Sequence, residues 1–488
     1  MKKTSVYLLL ALFSLQFCLS CEKEKNTEET KTPPADTTLE KRTITLYKTI
    51  KYQTMEGFGF FGASDVWWAS AGQLWNQEWA EKAINDLGIT IWRNECFPPS
   101  ITGENQDADW NKQKPVVQGL KAVADQAGVD LKFIFTVWSP PADMKINATM
   151  SWPGDGNATR GGTHNSAKNG GTLDPAKYVD YANWLKNAIN QYKDLGIDVY
   201  ALSLQNEPMF SQGFNSCIYT SQWYCDLLNN VAPLIKAEYP SVKIFGSENM
   251  LDMEGLDKNW PYFYHNLIKT KSADNIDILA VHGYSDGVNA SSGSELAKMW
   301  TNHKEQFSAP MKKPAWMTET SGYLDSWIGT ATKPGALGLA VDIYSGLNFG
   351  NMQGWVWWQG SQSDGIGEFN LMNKNTVGKK YYASKHYYRF IRPGAVRVKS
   401  SVDDQQIYVT SFEHPGKGTN TIILINTSDK GKSVSITGDN LPESYTIYLT
   451  TSGTENCKES GTVKSGAGNS FVIQAKSIVT LQSGGNPL

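Results

Sequence analysis

Histidine and cysteine are both scarce in this chain, with six of each among 488 residues. Only four cysteines lie beyond residue 21, and no cysteine–histidine spacing is typical of a zinc site. Cys217 and Cys225 could pair across a loop or form two separate buried thiols. The sequence therefore predicts neither a disulfide scaffold nor a metal site, and it implies no cofactor.

A strong charge of either sign is also missing. Lys and Arg number 45 against 48 Asp and Glu, which gives a formal net charge of -3. No basic bias indicates a nucleic-acid partner, and no acidic block indicates a solvating tail. The chain is long enough for a large core and for two domains.

The first residues have the pattern of an export signal. Lys2 and Lys3 precede the apolar run VYLLLALFSLQF, which is too short to span a membrane. The next residues, CLSC, resemble a bacterial lipobox, in which Cys21 becomes the lipidated first residue; an ordinary secretory signal is the alternative. We expect a signal peptide over 1–20 and a flexible, charged tether over 21–41. The expected location is the outer membrane, at the cell surface or facing the periplasm.

Between residues 55 and 392, β-rich runs alternate with helical patterns. The eight runs are EGFGFFG, ITIWRNE, LKFIFTVW, DVYALSLQNE, VKIFG, IDILAVHGY, PAWMTE and GWVWWQ. This alternation predicts an α/β fold, a (β/α)8 TIM barrel. A doubly wound sheet is the alternative, because Gly57 to Gly62 matches G-x-G-x-x-G. However, the next helical pattern starts only near Gln77, so these glycines are better explained by close contacts of a barrel strand.

The alternation of β-runs and helical patterns ends at about Arg392. Short β-runs are broken by Gly, Asn, Asp and Pro, with no helical pattern between them. We expect a C-terminal β-sandwich over 393–488. The run RTITLY before the barrel predicts that 42–54 adds a strand to this sandwich, which leaves 55–392 as the catalytic barrel.

The carboxyl ends of the predicted strands present the candidate site residues, because barrel active sites form there. These candidates are Arg93, Trp138, Asn206, Glu207, His282, Tyr284, Glu319, Trp355 and Trp357. Glu95, at the end of the second strand, could also be catalytic in principle, but we expect it to pair near Arg93.

Two of these candidates, Glu207 and Glu319, would face each other across one pocket. Paired carboxylates are what glycoside hydrolysis requires: one gives a proton to the leaving oxygen, and the other attacks the anomeric carbon. A single Glu at a strand end is more often a cap or an ion-pair partner. The presence of the second carboxylate, with Arg93 and Trp138 at the same end, favours catalysis.

The segments EGFGFFGAS, TVWSPPADMK, SLQNEP, HGY and WMTET resemble glycoside hydrolase family 30, a family of retaining barrel glycosidases. The resemblance implies that Glu207 is the acid/base and Glu319 the nucleophile. It also implies that Asn206 holds the sugar 2-hydroxyl and that Arg93 lies near the nucleophile. Aromatic residues would line the subsite: Trp138, Tyr284 and Trp357. The acids after Cys21 resemble the export signal of surface lipoproteins in Bacteroidetes.

The resemblance leaves several substrates open, because the family includes xylanases, β-1,6-glucanases, β-1,6-galactanases and glucosylceramidase-like enzymes. Its glucuronoxylanases usually carry an arginine-rich stretch after strand eight. Here that place reads QGSQSDGIGEFNLM, with no Arg or Lys before Lys374. We expect a xylanase-like endo-acting enzyme on a polysaccharide, anchored by lipid and monomeric. The alternatives are a β-1,6-glucanase or β-1,6-galactanase, a transglycosylase, and a non-catalytic glycan-binding lipoprotein.

Overall fold

The computed structural model describes residues 39–62, 76–98, 110–146, 148–150, 160–162, 171–210, 215–251, 267–268, 270–284, 289–362, 365–485 and 488. The predicted signal peptide, Cys21 and nearly all of the predicted tether lie outside these ranges. Among the described helices, none has the length and apolar character needed to cross a membrane.

Eight parallel strands close into a barrel, and each corresponds to one of the eight predicted runs. They are β2 (Gly57–Phe61), β3 (Ile91–Glu95), β4 (Lys132–Thr136), β5 (Val199–Ser203), β6 (Lys243–Met250), β7 (Ile278–His282), β8 (Ala315–Glu319) and β9 (Gly354–Trp357). Neighbours in the barrel follow chain order, and β9 pairs with β2 to close it. The predicted TIM barrel is confirmed.

Helices cover the outside of the barrel. They are α1 (Gln77–Glu81), α2 (Trp110–Ala127), α3 (Tyr178–Lys193), α4 (Ser221–Lys236), α5 (Glu295–His303), α6 (Ala309–Met311), α7 (Ala336–Asn348) and α8 (Lys379–Tyr388). Single-turn extensions follow α1 and α5 as π-helix, over Lys82–Leu87 and Lys304–Ser308. Short 3-10 turns occupy Ala142–Met144, Pro175–Lys177 and Ser272–Asn275. Short strand pairs join Lys145–Ile146 to Thr172–Leu173, Ala148–Met150 to Arg160–Gly162, and Met372–Asn373 to Thr376–Val377.

Local sequence explains where the helices begin. The Thr220 hydroxyl accepts a hydrogen bond from the amide of Trp223 and so caps α4. Asp174 caps the turn before α3 in the same way, through the amide of Ala176. Pro233 lies inside α4 without ending it.

The barrel interior is packed with apolar side chains. Seven of its strands contribute to one buried cluster: Ile91, Ile134, Ala201, Phe245, Ile278, Ala280, Trp316 and Val356. Strand β2 contributes glycine, because a Cβ on Gly59 would lie 1.8 Å from the carbonyl oxygen of Ile91. The G-x-G-x-x-G match therefore reflects close strand packing and not a dinucleotide site.

Nine strands form the second domain. They are β1 (Lys41–Thr54), β10 (Val396–Val402), β11 (Ile407–His414), β12 (Thr419–Asn426), β13 (Lys432–Gly438), β14 (Ser444–Thr450), β15 (Asn456–Lys464), β16 (Phe471–Ile473) and β17 (Ser477–Ser483). Their order is β15-β14-β17-β12-β11-β10-β1-β13-β16. Strand β1 pairs antiparallel with β10 and parallel with β13, so the segment before the barrel belongs to this sheet. The sequence predicts the other C-terminal strands from the runs AVRVKS, QIYVTSF, NTIILIN, KSVSIT, YTIYLT, SFVIQAK and SIVTLQ, but none of these runs covers β15.

Alternate residues of a sandwich strand pack into two different hydrophobic cores. Ile422 and Leu424 of β12 pack inside the sandwich, whereas Ile423 and Ile425 join the core that extends from the barrel. The two domains therefore share a continuous apolar contact. Four cysteines lie in the described residues, and all are free thiols; Cys217 and Cys225 are separate and buried.

Candidate active site

The carboxyl end of β5 places Glu207 at the mouth of the barrel. The side chain of Gln205 donates hydrogen bonds to the carbonyl oxygens of Trp138 and Asn206, both at 2.8 Å. Glu207 has a φ of 41°, in the left-handed region that non-glycine residues rarely adopt. This turn, followed by Pro208, aims the Glu207 carboxylate into the mouth, and such backbone outliers concentrate at functional sites.

Glu319 ends β8 and is held by two donors. Arg93 donates from Nη1 to its Oε2 over 2.7 Å, and the Tyr284 hydroxyl donates to its Oε1 over 2.6 Å. Burial, together with the carboxylates of Glu319 and Glu207, raises the pKa of Tyr284, so this hydroxyl keeps its proton. Both donors hold the Glu319 carboxyl group in place.

The guanidinium of Arg93 links four elements of the barrel. Besides Glu319, it donates to Thr136 on β4, Asn206 after β5 and Glu248 on β6, at 3.1, 2.9 and 2.9 Å. Burial alone would lower the pKa of Arg93, but the carboxylates of Glu248 and Glu319 outweigh burial and raise it. Arg93 is therefore a permanent buried cation.

Glu248 is a third buried carboxylate that sequence reasoning missed. Its strand was predicted to end at Gly246, but β6 continues through Glu248 to Met250. The charge of Arg93 overcomes the effect of burial and lowers the pKa of Glu248, which keeps it ionised. The sequence does contain a signal for Glu248: it lies near the end of the fifth barrel strand, as Glu207 and Glu319 do for the fourth and seventh strands.

His282 ends β7 between the three carboxylates. Its Nδ1 lies 2.9 Å from Oε1 of Glu207 and 3.8 Å from Oε1 of Glu319, and its Nε2 lies 3.7 Å from Oε1 of Glu248. Burial would lower the pKa of His282, but these carboxylates raise it to about 9. The imidazole is therefore charged at neutral pH and donates to Glu207.

Glu207, His282 and Glu319 each offer an atom within 4.8 Å of the others. Such a set is close enough to share a metal ion, but Nδ1 of His282 is already hydrogen-bonded to Oε1 of Glu207. Arg93 also already neutralises Glu319. We therefore assign no metal to these residues, and the arrangement is that of two carboxylates poised across a small gap.

The aromatic wall at the mouth differs from the prediction. Trp138 lies under Arg93, with the guanidinium carbon 4.9 Å from its ring centre, and Trp358 stacks on Phe61 at 4.2 Å. Trp355 and Trp357 are 0% exposed and face the helices, because Val356 between them points into the barrel. The prediction that these two residues contact substrate was therefore wrong, and Trp358 holds the strand-eight position at the mouth.

The prediction for Glu95 was also wrong. Among the described residues, Arg93 forms ion pairs with Glu248 and Glu319 and forms none with Glu95. Instead, Oε1 of Glu95 accepts a hydrogen bond from Nδ2 of Asn215 over 2.8 Å.

A closed (β/α)8 barrel with an attached β-sandwich and paired carboxylates at the strand ends is the architecture of a barrel glycosidase. The model of the glycosyl hydrolase family 30 beta sandwich domain matches residues 394–481. Glucuronoxylanase XynC of Bacillus subtilis (strain 168) is 26% identical over 455 residues, covering 92% of this chain and 93% of that protein.

A second relative and a solved structure also match this chain over most of its length. Endo-1,6-beta-D-glucanase neg1 of Aspergillus fumigatus is 23% identical over 353 residues, covering 70% of this chain and 67% of that protein. The crystal structure of a GH30 endoxylanase from Clostridium papyrosolvens C71 matches with a TM-score of 0.69 and 21% identity, covering 91% of this chain and all of that one. These comparisons support glycoside hydrolase family 30 for this chain, which is a glycoside hydrolase.

Proposed function

We propose that this glycoside hydrolase cleaves internal β-glycosidic bonds of a polysaccharide by double displacement, with retention of anomeric configuration. The observation that carries the proposal is the spacing of Glu207 and Glu319, whose nearest oxygens lie within 4.8 Å. Retaining enzymes place their carboxyl groups about 5–5.5 Å apart, whereas inverting enzymes need about 6.5–9.5 Å to fit a water between them. Two oxygens within 4.8 Å of each other favour the closer, retaining arrangement.

Glu319 is the proposed nucleophile, because hydrogen bonds from Arg93 and Tyr284 orient its carboxyl group at the mouth. Its carboxylate oxygen forms a bond to the anomeric carbon as the bond from that carbon to the leaving oxygen breaks. Glu207 gives its proton to the leaving oxygen. Water then attacks the glycosyl–Glu319 ester, returns a proton to Glu207, and releases the sugar and the free Glu319 carboxylate.

His282 supports the acid/base cycle of Glu207. Once Glu207 has given up its proton, the charged imidazole 2.9 Å away stabilises the carboxylate that results. Glu248 keeps His282 charged and also holds Arg93. One buried network therefore supports both catalytic carboxylates.

A xylan-type main chain is the substrate that we propose first, because the relative that spans nearly the whole chain is named a glucuronoxylanase. The segment from Gln359 to Asn373 contains no Arg or Lys, so we propose that cleavage does not require a glucuronate branch. β-1,6-Glucan is the second candidate, supported by the relative named an endo-1,6-glucanase, and β-1,6-galactan is the third.

Product analysis tests the proposal. A soluble form, residues 39–488, is incubated with xylans, β-1,6-glucan, β-1,6-galactan and aryl β-glycosides, and the first product is examined by NMR. We expect oligosaccharides whose new reducing end is initially the β-anomer. An initial α-anomer would show inversion and contradict the double displacement.

Variants separate the two carboxylates. Glu319→Gln and Glu207→Gln should both lose hydrolysis of the polysaccharide, whereas the exposed Glu443→Gln should keep it. Azide should restore a Glu319→Gly variant by forming the α-glycosyl azide, and a Glu207→Ala variant by forming the β-azide. Activity that survives in Glu319→Gln would mean that another group is the nucleophile.

We further propose that the protein is a monomeric lipoprotein anchored through Cys21. The support is the sequence of residues 1–21 alone. Incorporation of labelled fatty acid into the parent and its loss in Cys21→Ala would test the anchor, and light scattering of the soluble form would test the monomer. Label that persists in Cys21→Ala would contradict the assignment.

A further inference from the structure

Glu95 lies on the inner face of the barrel, beside the catalytic network. Alternate residues of a strand share one face, so Ile91, Arg93 and Glu95 of β3 point the same way. Ile91 belongs to the cluster that fills the barrel interior, and Arg93 contacts Glu319. Glu95 therefore lies one layer nearer the mouth than Arg93.

The two oxygens of the Glu95 carboxyl group have different surroundings. Oε1 accepts a hydrogen bond from Asn215, whose own side chain is buried. Oε2 accepts no hydrogen bond from the described residues, and Glu95 as a whole is 5% exposed. One oxygen is thus anchored, while the other is available to a ligand in the mouth.

Among the described residues, Glu95 also forms no ion pair with a cation. Arg93 is committed to Glu319 and Glu248, so a charged Glu95 would be a buried and poorly compensated anion. Burial raises the pKa of Glu95 to about 8; Asn215 and Arg93 oppose this only in part, and Glu319 adds to it. At neutral pH, Glu95 is therefore a carboxylic acid, which can both donate and accept a hydrogen bond.

We propose that Glu95 binds substrate, exchanging hydrogen bonds with a hydroxyl of an uncharged sugar ring held on the β3 side of the mouth. A sugar hydroxyl also donates and accepts, so it complements a protonated carboxyl group. A uronate at this position would add a negative charge near the Glu319 carboxylate, which is why the fitting ligand is a neutral sugar. The inference rests on the glycoside hydrolase function proposed for this site, and it makes Glu95 a determinant of glycan specificity.

The test compares Glu95→Gln and Glu95→Ala with the parent, with Glu443→Gln as a surface control. The kcat and KM values are measured on the polysaccharide that the parent cleaves. Affinity for an oligosaccharide fragment of each candidate glycan is measured by calorimetry in the Glu319→Gln background, where the ligand is not consumed. Thermal unfolding midpoints are recorded for every variant.

We expect Glu95→Gln, which copies the neutral carboxyl group, to keep both KM and affinity within about threefold of the parent. Glu95→Ala should raise KM and weaken affinity by about tenfold, as expected for the loss of one neutral hydrogen bond, with kcat changed less. If Glu95→Gln keeps the KM and affinity of the parent while Glu95→Ala does not, Glu95 acts through hydrogen bonding and not through a negative charge. Equal KM and affinity in all three proteins would overturn the proposal.

A purely structural role would give a different pattern. If Glu95 only anchors Asn215, Glu95→Ala should lower the unfolding midpoint and kcat on every substrate while KM stays constant, and this outcome would also overturn the proposal. Absence of hydrolysis by the parent would contradict the proposed function, but the calorimetry would still decide whether Glu95 contacts a sugar.

Discussion

Arg93 donates from Nη1 to Oε2 of Glu319 over 2.7 Å, and both groups are buried. The same guanidinium also reaches Glu248 and Asn206 through Nη2, so one planar cation fixes the nucleophile relative to two other strand ends. A lysine has a single nitrogen and cannot reproduce this fork. The position of Glu319 therefore depends on the shape of Arg93 as well as on its charge.

We predict that Arg93→Lys lowers kcat by at least about 100-fold, the scale seen when one preorganised group of an active site is lost. The positive charge survives, but Glu319 loses its aligned donor and Glu248 its partner. Steady-state kinetics on the parent's preferred glycan would measure the change. Arg389→Lys, which changes an arginine that contacts the carbonyl oxygens of Asn85 and Asp86, should leave kcat unchanged. Similar kcat values for both variants would contradict the role given to Arg93.

A second prediction concerns Glu248, which lies 3.7 Å from Nε2 of His282. Glu248 is one of three carboxylates that raise the pKa of His282 to about 9. In Glu248→Gln this contribution disappears, so the pKa of His282 should fall and the imidazole should lose its proton at a lower pH. NMR titration of the imidazole signal would measure the shift directly.

The pH dependence of catalysis should follow the same direction. We expect the ratio of kcat/KM between Glu248→Gln and the parent to decrease as pH rises from 6 to 9, because the variant loses the His282 charge first. The Glu443→Gln control should give a constant ratio. A constant ratio for Glu248→Gln would show that this carboxylate does not act through His282.

A third prediction follows from the two faces of β9. Trp358 stacks on Phe61 and lies 5.8 Å from Trp138 at the mouth, whereas Trp357 is fully buried and donates to the carbonyl oxygen of Phe369. Trp358→Ala should raise KM by about three- to tenfold through the loss of aromatic contact. Trp357→Phe should lower the free energy of unfolding by about 1–3 kcal/mol, through the loss of the indole hydrogen bond and the smaller buried ring, and leave KM unchanged. Steady-state kinetics and denaturant titration of both variants would check these expectations. A raised KM in Trp357→Phe together with an unchanged KM in Trp358→Ala would instead indicate that Trp357 contacts substrate.

Much of the fold was predictable because strong local patterns agreed with the tertiary structure. Each barrel strand is a short apolar run buried on both sides, and helices α1 to α7 each lie between two such runs, whereas α8 follows the last one. Glu207 and Glu319 could be placed together because parallel strands bring their carboxyl ends to one rim. Neither inference required knowledge of side-chain direction.

Side-chain direction was the part that the sequence did not determine. In WVWW, Trp355 to Trp358, both faces carry large apolar residues, so nothing in the run tells which face is the interior. Glu248 was missed because its strand passes through a register shift between Ser247 and Asn249, which breaks the apolar pattern before the strand ends. The omitted strand β15 is largely exposed and carries few apolar residues, so it lacks the pattern of a buried strand.

The last prediction concerns the contact between the two domains. His386 of α8 lies 2.7 Å from the hydroxyls of both Thr480 and Thr450 of the sandwich. Burial, with a smaller effect of Lys385, lowers its pKa to about 3. In the unfolded chain His386 takes up a proton near its ordinary pKa of 6.5, whereas in the folded protein it does so only near 3. The unfolded state therefore binds more protons between these values, and stability falls as pH falls through this range.

We predict that His386→Gln reduces this acid sensitivity. The variant should be less stable than the parent at pH 7, because glutamine fills the site less well, but it should lose less stability between pH 6.5 and 4. For one group the difference in slope cannot exceed about 1.4 kcal/mol per pH unit. Thr480→Val is the matched control: it removes a partner of His386 and not the titrating group, so it should lower stability while keeping most of the parent's slope. Equal slopes for the parent and His386→Gln, measured by denaturant titration at each pH, would show that His386 does not couple protonation to the domain contact.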